Sequence, residues 1–193
     1  MTEPQVDGLR ERKRALSRAT AVDVAMQLFA ERGFEAVTVA DICAAADIAP
    51  RTFFRYFPTK EDVLAEPARQ MAARVEAALA AAPLEQGDAE ALAGALRELG
   101  GYVVAHQTQL AVFFEVARTS VALRSSPLLH LTGRERQIAE QLLARRPEPH
   151  AADWRTRLTV ARAVAAFRVW LDDVVAGDEQ DPLGHLDEVL TAR

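Results

Sequence analysis

The chain is poor in several things at once. One cysteine, Cys43, among 193 residues excludes an internal disulfide and fits a reducing compartment, so a cytoplasmic protein is expected. No apolar run approaches the ~18–20 residues of a membrane span, and no signal peptide is legible. Aromatic residues make up only 6%, in a chain rich in alanine, which favours helix throughout. There is no G-x-S-x-G, no phosphate-binding loop, no dinucleotide fingerprint and no H-E-x-x-H. His106, His130, His150 and His185 are scattered, without a second ligand at metal spacing. An enzyme, a cofactor and a metal are therefore not expected. The net charge of −5 argues against a protein that coats nucleic acid indiscriminately.

That average conceals an asymmetry. Arg10, Arg12, Lys13, Arg14 and Arg18 crowd the N-terminus with only Glu11 of opposite sign among them, so the acidic excess lies later. Half of the residues are hydrophobic, enough for one large domain or two small ones.

The informative stretch runs from Thr38 to Lys60, TVADICAAADIAPRTFFRYFPTK. Thr38 with Asp41 three residues on is an N-terminal helix signature. Val39, Ile42, Cys43 and Ala46 then form one apolar face. Asp47-Ile48-Ala49 reads as a turn, and Pro50 suits the first position of a second helix. On that helix Pro50, Phe53, Phe54 and Phe57 fall on one side, and Arg51, Thr52, Arg55 and Tyr56 on the other. Two arginines, a threonine and a tyrosine facing outward are poorly explained as core. They suit a recognition helix in a DNA major groove, where arginine reads guanine edges and hydroxyls meet phosphates.

Residues 10–64 resemble the DNA-binding domain of the TetR family of bacterial transcriptional regulators. The resemblance is carried by Leu28-Phe29-Ala30-Glu31-Arg32-Gly33-Phe34, Thr38-Val39, Ile42-Cys43-Ala44-Ala45-Ala46, Thr52-Phe53-Phe54-Arg55-Tyr56-Phe57 and Thr59-Lys60-Glu61. Three positions depart from the family pattern: Asp47 replaces a usual Gly, Ala49 a common Ser cap, and Phe54 a Tyr that often touches the DNA backbone. Asp tolerates a left-handed turn, whereas Phe54 has no hydroxyl to donate. Together, residue pattern and resemblance assign DNA contact to Arg18, Thr38, Pro50, Arg51, Thr52, Arg55, Tyr56, Thr59 and Lys60. Lys60 is electrostatically odd at a helix start, and the resemblance implies a phosphate beside it.

In chain order, the expected architecture is all-α. Residues 1–9, with Pro4 and Gly8, are predicted to be a disordered arm. Residues 10–64 form the helix-turn-helix domain, and 65–193 a helical ligand-binding and dimerisation domain. Helix one should stop at Gly33, with Phe34 and Val37 tucked into the core. Thr59 should cap a fourth helix running to Pro83, kinked near Pro67. Leu84 to Asp88 reads as a linker, followed by helices near 88–106, 108–124, 127–146, 151–177 and 182–192.

The 151–177 helix has two apolar stripes, one with Val160, Val164, Phe167, Leu171 and Val174, the other with Ala161, Ala165 and Val169. One stripe packs internally and the other meets a second subunit, unless the helix is wholly interior. Because the family dimerises through its last two long helices, Val160, Val164, Phe167 and Leu171 are expected at a homodimer interface. The middle helices hold enough Leu, Val and Phe to line an apolar cavity, with His106, Phe113, Phe114, Arg118 and Phe167 as ligand-binding candidates. The C-terminal half, through Arg118-Thr119-Ser120, Pro127-Leu128-Leu129 and Trp170-Leu171, loosely resembles the acyl-CoA-like ligand domain of some TetR regulators.

The expectation is a ligand-responsive transcriptional regulator, a repressor released from a palindromic DNA operator by a small hydrophobic effector such as an acyl-CoA or fatty acid. A helical enzyme or carrier with a vestigial DNA-binding head, and a constitutive DNA-binding protein, are the alternatives.

Overall fold

A computed structural model of the chain describes residues 4–119, 131–146, 154–177 and 179–192, with side chains 4–11, 117–119 and 131–133 left aside. Among these residues the chain is helical, with no strand. The helices are α1 (Pro4–Arg32), α2 (Val39–Ala45), α3 (Pro50–Tyr56), α4 (Lys60–Leu64), α5 (Glu66–Ala81), α6 (Asp88–Ala105), α7 (Gln107–Thr119), α8 (Leu131–Ala144), α9 (Trp154–Ala176) and α10 (Pro182–Thr191). Ser120, Pro127-Leu128-Leu129, His130, His150 and the expected break between the helices near 127–146 and 151–177 lie outside the described residues. The chain divides into two compact units, Met1–Pro67 with Thr108–Ser125, and Ala68–Gln107 with Ser126–Arg193. The segment from Thr108 thus groups with the first unit, whereas the sequence reading put everything beyond residue 64 in one domain.

In the first unit α1 packs on α2, α3 and α4. Its buried face is Ala21, Val22, Ala25, Met26, Leu28 and Phe29, the helical repeat expected of a core stripe. Phe34, Val37, Ile42, Cys43, Phe53, Phe57, Val63 and Leu64 are buried as well. Each large apolar side chain contributes about 1.5–3 kcal/mol of burial, which is how so small a head holds its shape. α1 ends as expected at Gly33, whose φ of 80° is the left-handed region and whose N–H returns to the Phe29 carbonyl at 3.0 Å.

Two expectations are corrected here. The arm over 1–9 is not irregular from Pro4 onward, because α1 starts there. Proline is tolerated at a first helical position, and Gly8 costs only about 1 kcal/mol inside a helix. The fourth helix is also not continuous to Pro83. It ends at Leu64, and α5 starts at Glu66. Pro67 cannot donate a backbone hydrogen bond, so it occupies the first turn of a new helix, where no donor is needed.

In the second unit α9 packs on α6, α8 and α10, and α10 also meets α6. Trp170 is fully buried and donates its indole N–H to the Pro182 carbonyl, tying α9 to the start of α10. Gly100 in α6 allows the close approach, since a Cβ there would collide with the Leu186 side chain. A polar knot closes the far end: Arg146 and Thr156 both bind the Asp88 carboxylate, Thr156 at 2.7 Å, and Arg146 donates to the Thr156 hydroxyl at 2.9 Å. None of the helices is long and apolar enough to cross a membrane, among the described residues.

Candidate nucleic-acid interface

The turn between α2 and α3 is built from local chemistry. The Thr38 hydroxyl accepts the Asp41 N–H at 3.2 Å, and Asp41 accepts the Thr38 N–H at 2.8 Å, a reciprocal cap of α2. The Thr38 hydroxyl and backbone bonds hold the Asp41 carboxyl below the usual aspartate range. Asp47 adopts φ 52°, the left-handed conformation for which glycine is usual. The Ile48 N–H then bonds the Cys43 carbonyl at 3.0 Å and closes the turn. Ala49 is the N-cap of α3 and supplies no side-chain cap, while Pro50 follows it. Burial pushes the Cys43 thiol up, so it remains a neutral core group.

On α3, Phe53 and Phe57 are fully buried and anchor the helix on the core. Arg51 and Arg55 are exposed, Thr52 and Tyr56 partly so, on the side turned from those anchors. Arg55 stands 4.8 Å from the Tyr56 ring and donates to its hydroxyl at 3.0 Å, so the two form one donor-rich surface. Phe54 corrects the sequence reading: it is 54% exposed, packed edge-on to Phe53 at 5.5 Å. It lies about 100° around the helix from Phe53, and the core reaches only the Phe53–Phe57 line.

The remaining polar candidates have partners within the protein. Thr59 caps α4, accepting the Asp62 N–H at 3.2 Å and donating to its carboxylate at 2.9 Å. The Lys60 ammonium donates to the carbonyls of Phe34 and Val37. Arg18 is turned inward to Glu66 at 2.8 Å. Arg12, Lys13 and Arg14 remain exposed on α1.

The ligand candidates are distributed over both units. Phe113 and Phe114 form an edge-on pair at 5.0 Å in the first, Phe113 buried. In the second, His106 caps α6, stacked on Tyr102 at 4.2 Å, and Phe167 packs on Trp170 at 4.9 Å. The Arg118 side chain lies outside the described residues. A groove of about 700 Å³ between α8 and α9 is lined by apolar residues, Ala139, Leu143, Trp154, Leu158 and Ala161, together with Glu135, Arg136, Glu140 and Arg157. None of His106, Phe113, Phe114 and Phe167 lines it.

Burial separates the interface candidates. Val160 and Phe167 are buried within the subunit, beside Thr156, Trp170 and Val174, so they cannot form an outer face. Val164 and Leu171 are half-buried at its border. The exposed apolar line on α9 is Trp154, Leu158 and Val169, with Leu183 on α10. The sequence reading missed Trp154 and Leu158, although they continue the Ala161, Ala165 and Val169 spacing toward the N-terminus. It also missed Glu66, which reads as an ordinary acidic helix start and is in fact buried.

Residues 21–66 match the family described as bacterial regulatory proteins, tetR family. The chain is 32% identical over 173 residues to the HTH-type transcriptional regulator TcmR of Streptomyces glaucescens, covering 86% of this chain and 76% of that protein. Among solved structures it is similar to the fatty acid degradation regulator FadR of Bacillus halodurans, with TM-score 0.62, 20% identity and coverage of 90% and 92% of the two chains. It is similar also to FadR of Bacillus subtilis in complex with stearoyl-CoA, with TM-score 0.60, 18% identity and coverage of 89% and 95%. These relatives are transcriptional regulators, not enzymes, and with a helix-turn-helix head on an all-α fold the chain belongs to the TetR family of bacterial transcriptional regulators.

Proposed function

We propose that the protein is a homodimeric repressor released from a palindromic operator by a small apolar effector. The observation that carries the DNA half is the α3 face, where Arg51, Thr52, Arg55 and Tyr56 point away from Phe53 and Phe57. In a two-fold dimer, two such helices enter major grooves about 34–36 Å apart, or a multiple. The exposed line of Trp154, Leu158, Val169 and Leu183 supports α9 and α10 as the face that meets the second copy.

The effector reading rests on the apolar side chains of the middle helices and on the acyl-CoA bound by the Bacillus subtilis neighbour. To reverse the bound population from 1:99 to 99:1, the effector needs about 5.5 kcal/mol of preference for the DNA-released state. An alkyl chain supplies that at about 25 cal/mol per Å² only if its pocket opens mainly in that state. The test titrates saturated acyl-CoA of increasing chain length against a pre-formed protein–operator complex. Release that strengthens with chain length is expected. No release at any length discards the acyl effector and leaves the helix-turn-helix reading intact.

A further inference from the structure

We propose that Arg18 is a positioning residue of the DNA-reading head and does not contact phosphate: it braces the end of the recognition helix and the first turn of α5 from α1. Its Nη2 donates to Glu66 Oε2 at 2.8 Å, and the Glu66 side chain is only 5% exposed. The same guanidinium stands 5.2 Å from the centre of the Phe57 ring. Phe57 is fully buried and is the C-cap of α3, its N–H held by the Phe53 carbonyl at 2.9 Å. From α1, one side chain therefore touches two further segments, the start of α5 and the end of α3, the helix that carries Arg51 and Arg55.

The choice of residue fits this task. A guanidinium can offer its edge to a carboxylate while its plane lies against an aromatic ring, which a lysine ammonium cannot do. Moving to a phosphate would draw Arg18, itself partly exposed, away from the buried Glu66 carboxylate, a costly exchange for that carboxylate. Among the described side chains, the basic surface left for the DNA backbone on α1 is Arg12, Lys13 and Arg14, which are exposed.

The inference rests on operator binding through α3, so an operator is first obtained by selection with the wild-type protein; failure there refutes the DNA-reading assignment itself. The two roles of Arg18 then predict opposite signs for Glu66→Gln. A positioning role loosens the brace, and operator affinity falls about ten-fold, the size of one lost charge-assisted hydrogen bond. A phosphate role frees Arg18 and removes a negative charge, so affinity rises. Arg18→Gln, at a partly exposed position, should also weaken operator binding about ten-fold. It should leave non-specific binding and the salt slope unchanged, and Arg18→Lys should not restore affinity. Circular dichroism at the assay temperature confirms that each variant is folded. Operator binding by Glu66→Gln at or above the wild-type level, or a salt slope reduced by about one in Arg18→Gln, overturns the proposal.

Discussion

The Lys60 ammonium donates to the carbonyl of Phe34 at 2.7 Å and lies 4.2 Å from the centre of the same residue's ring. A second bond, to the Val37 carbonyl at 2.9 Å, completes a clamp between the start of α4 and the loop joining α1 to α2. The positive charge that opposes the α4 dipole is thus balanced by carbonyl oxygens, and one of its three N–H donors remains for a phosphate.

Replacing Lys60 separates these two jobs. Lys60→Ala should destabilise the DNA-free protein by about 1–3 kcal/mol, because two carbonyls lose a charged donor. With DNA it should lower the salt slope by about one if the third donor meets a phosphate. Thermal unfolding and salt-dependent binding measure them independently. An unchanged melting temperature would show that the carbonyl clamp contributes nothing.

Arg51 is the exposed charged residue nearest the start of α3, with no capping side chain competing for that end. Arg51→Ala should cost about 1–3 kcal/mol on the operator and relax selectivity at one base position. Binding-site selection with the variant checks this. An identical selected sequence would remove Arg51 from base reading.

The two stripes of α9 make contrasting predictions. Val169→Glu on the exposed stripe should give a folded monomer by light scattering. Val160→Glu places a charge among fully buried neighbours and should prevent folding. A dimer that survives both Val169→Glu and Leu183→Glu would exclude this face as the interface.

His185 on α10 accepts a specific pH dependence. Its Nε2 lies 2.8 Å from an Asp173 carboxylate oxygen, and that hydrogen bond, above all, raises its pKa over the ordinary 6.5. A raised folded-state value means the stabilisation is complete below 6.5 and disappears as pH climbs through the higher folded value. Stability should therefore decline as the pH rises above 6.5, and His185→Gln should flatten that decline. Denaturant midpoints between pH 6 and pH 9 provide the comparison. Identical slopes for the two proteins would mean the Asp173 contact is not formed in solution.

What the sequence determined by itself was local. The Thr38–Asp41 and Thr59–Asp62 caps and the stop at Gly33 depend on residues within a few positions of each other, so spacing alone predicts them, whereas the left-handed Asp47 was implied by the family resemblance. The recognition face was legible for the same reason, since helical periodicity separates Arg51 and Arg55 from Phe53 and Phe57. Tertiary structure decided everything that depends on a distant partner. Periodicity revealed two apolar stripes on α9, but only packing against α6, α8 and α10 determined that Val160 and Phe167 go inward and Val169 outward. Phe54 sits on the border of an apolar arc, and the width of the core, not the arc, left it exposed. Arg18 and Lys60 were visible as charges beside a DNA-binding motif. Whether such a charge meets a phosphate, a carboxylate 48 residues away or a carbonyl 26 residues away depends on which group the folded backbone brings within 3 Å, because charge attracts without regard to sequence distance.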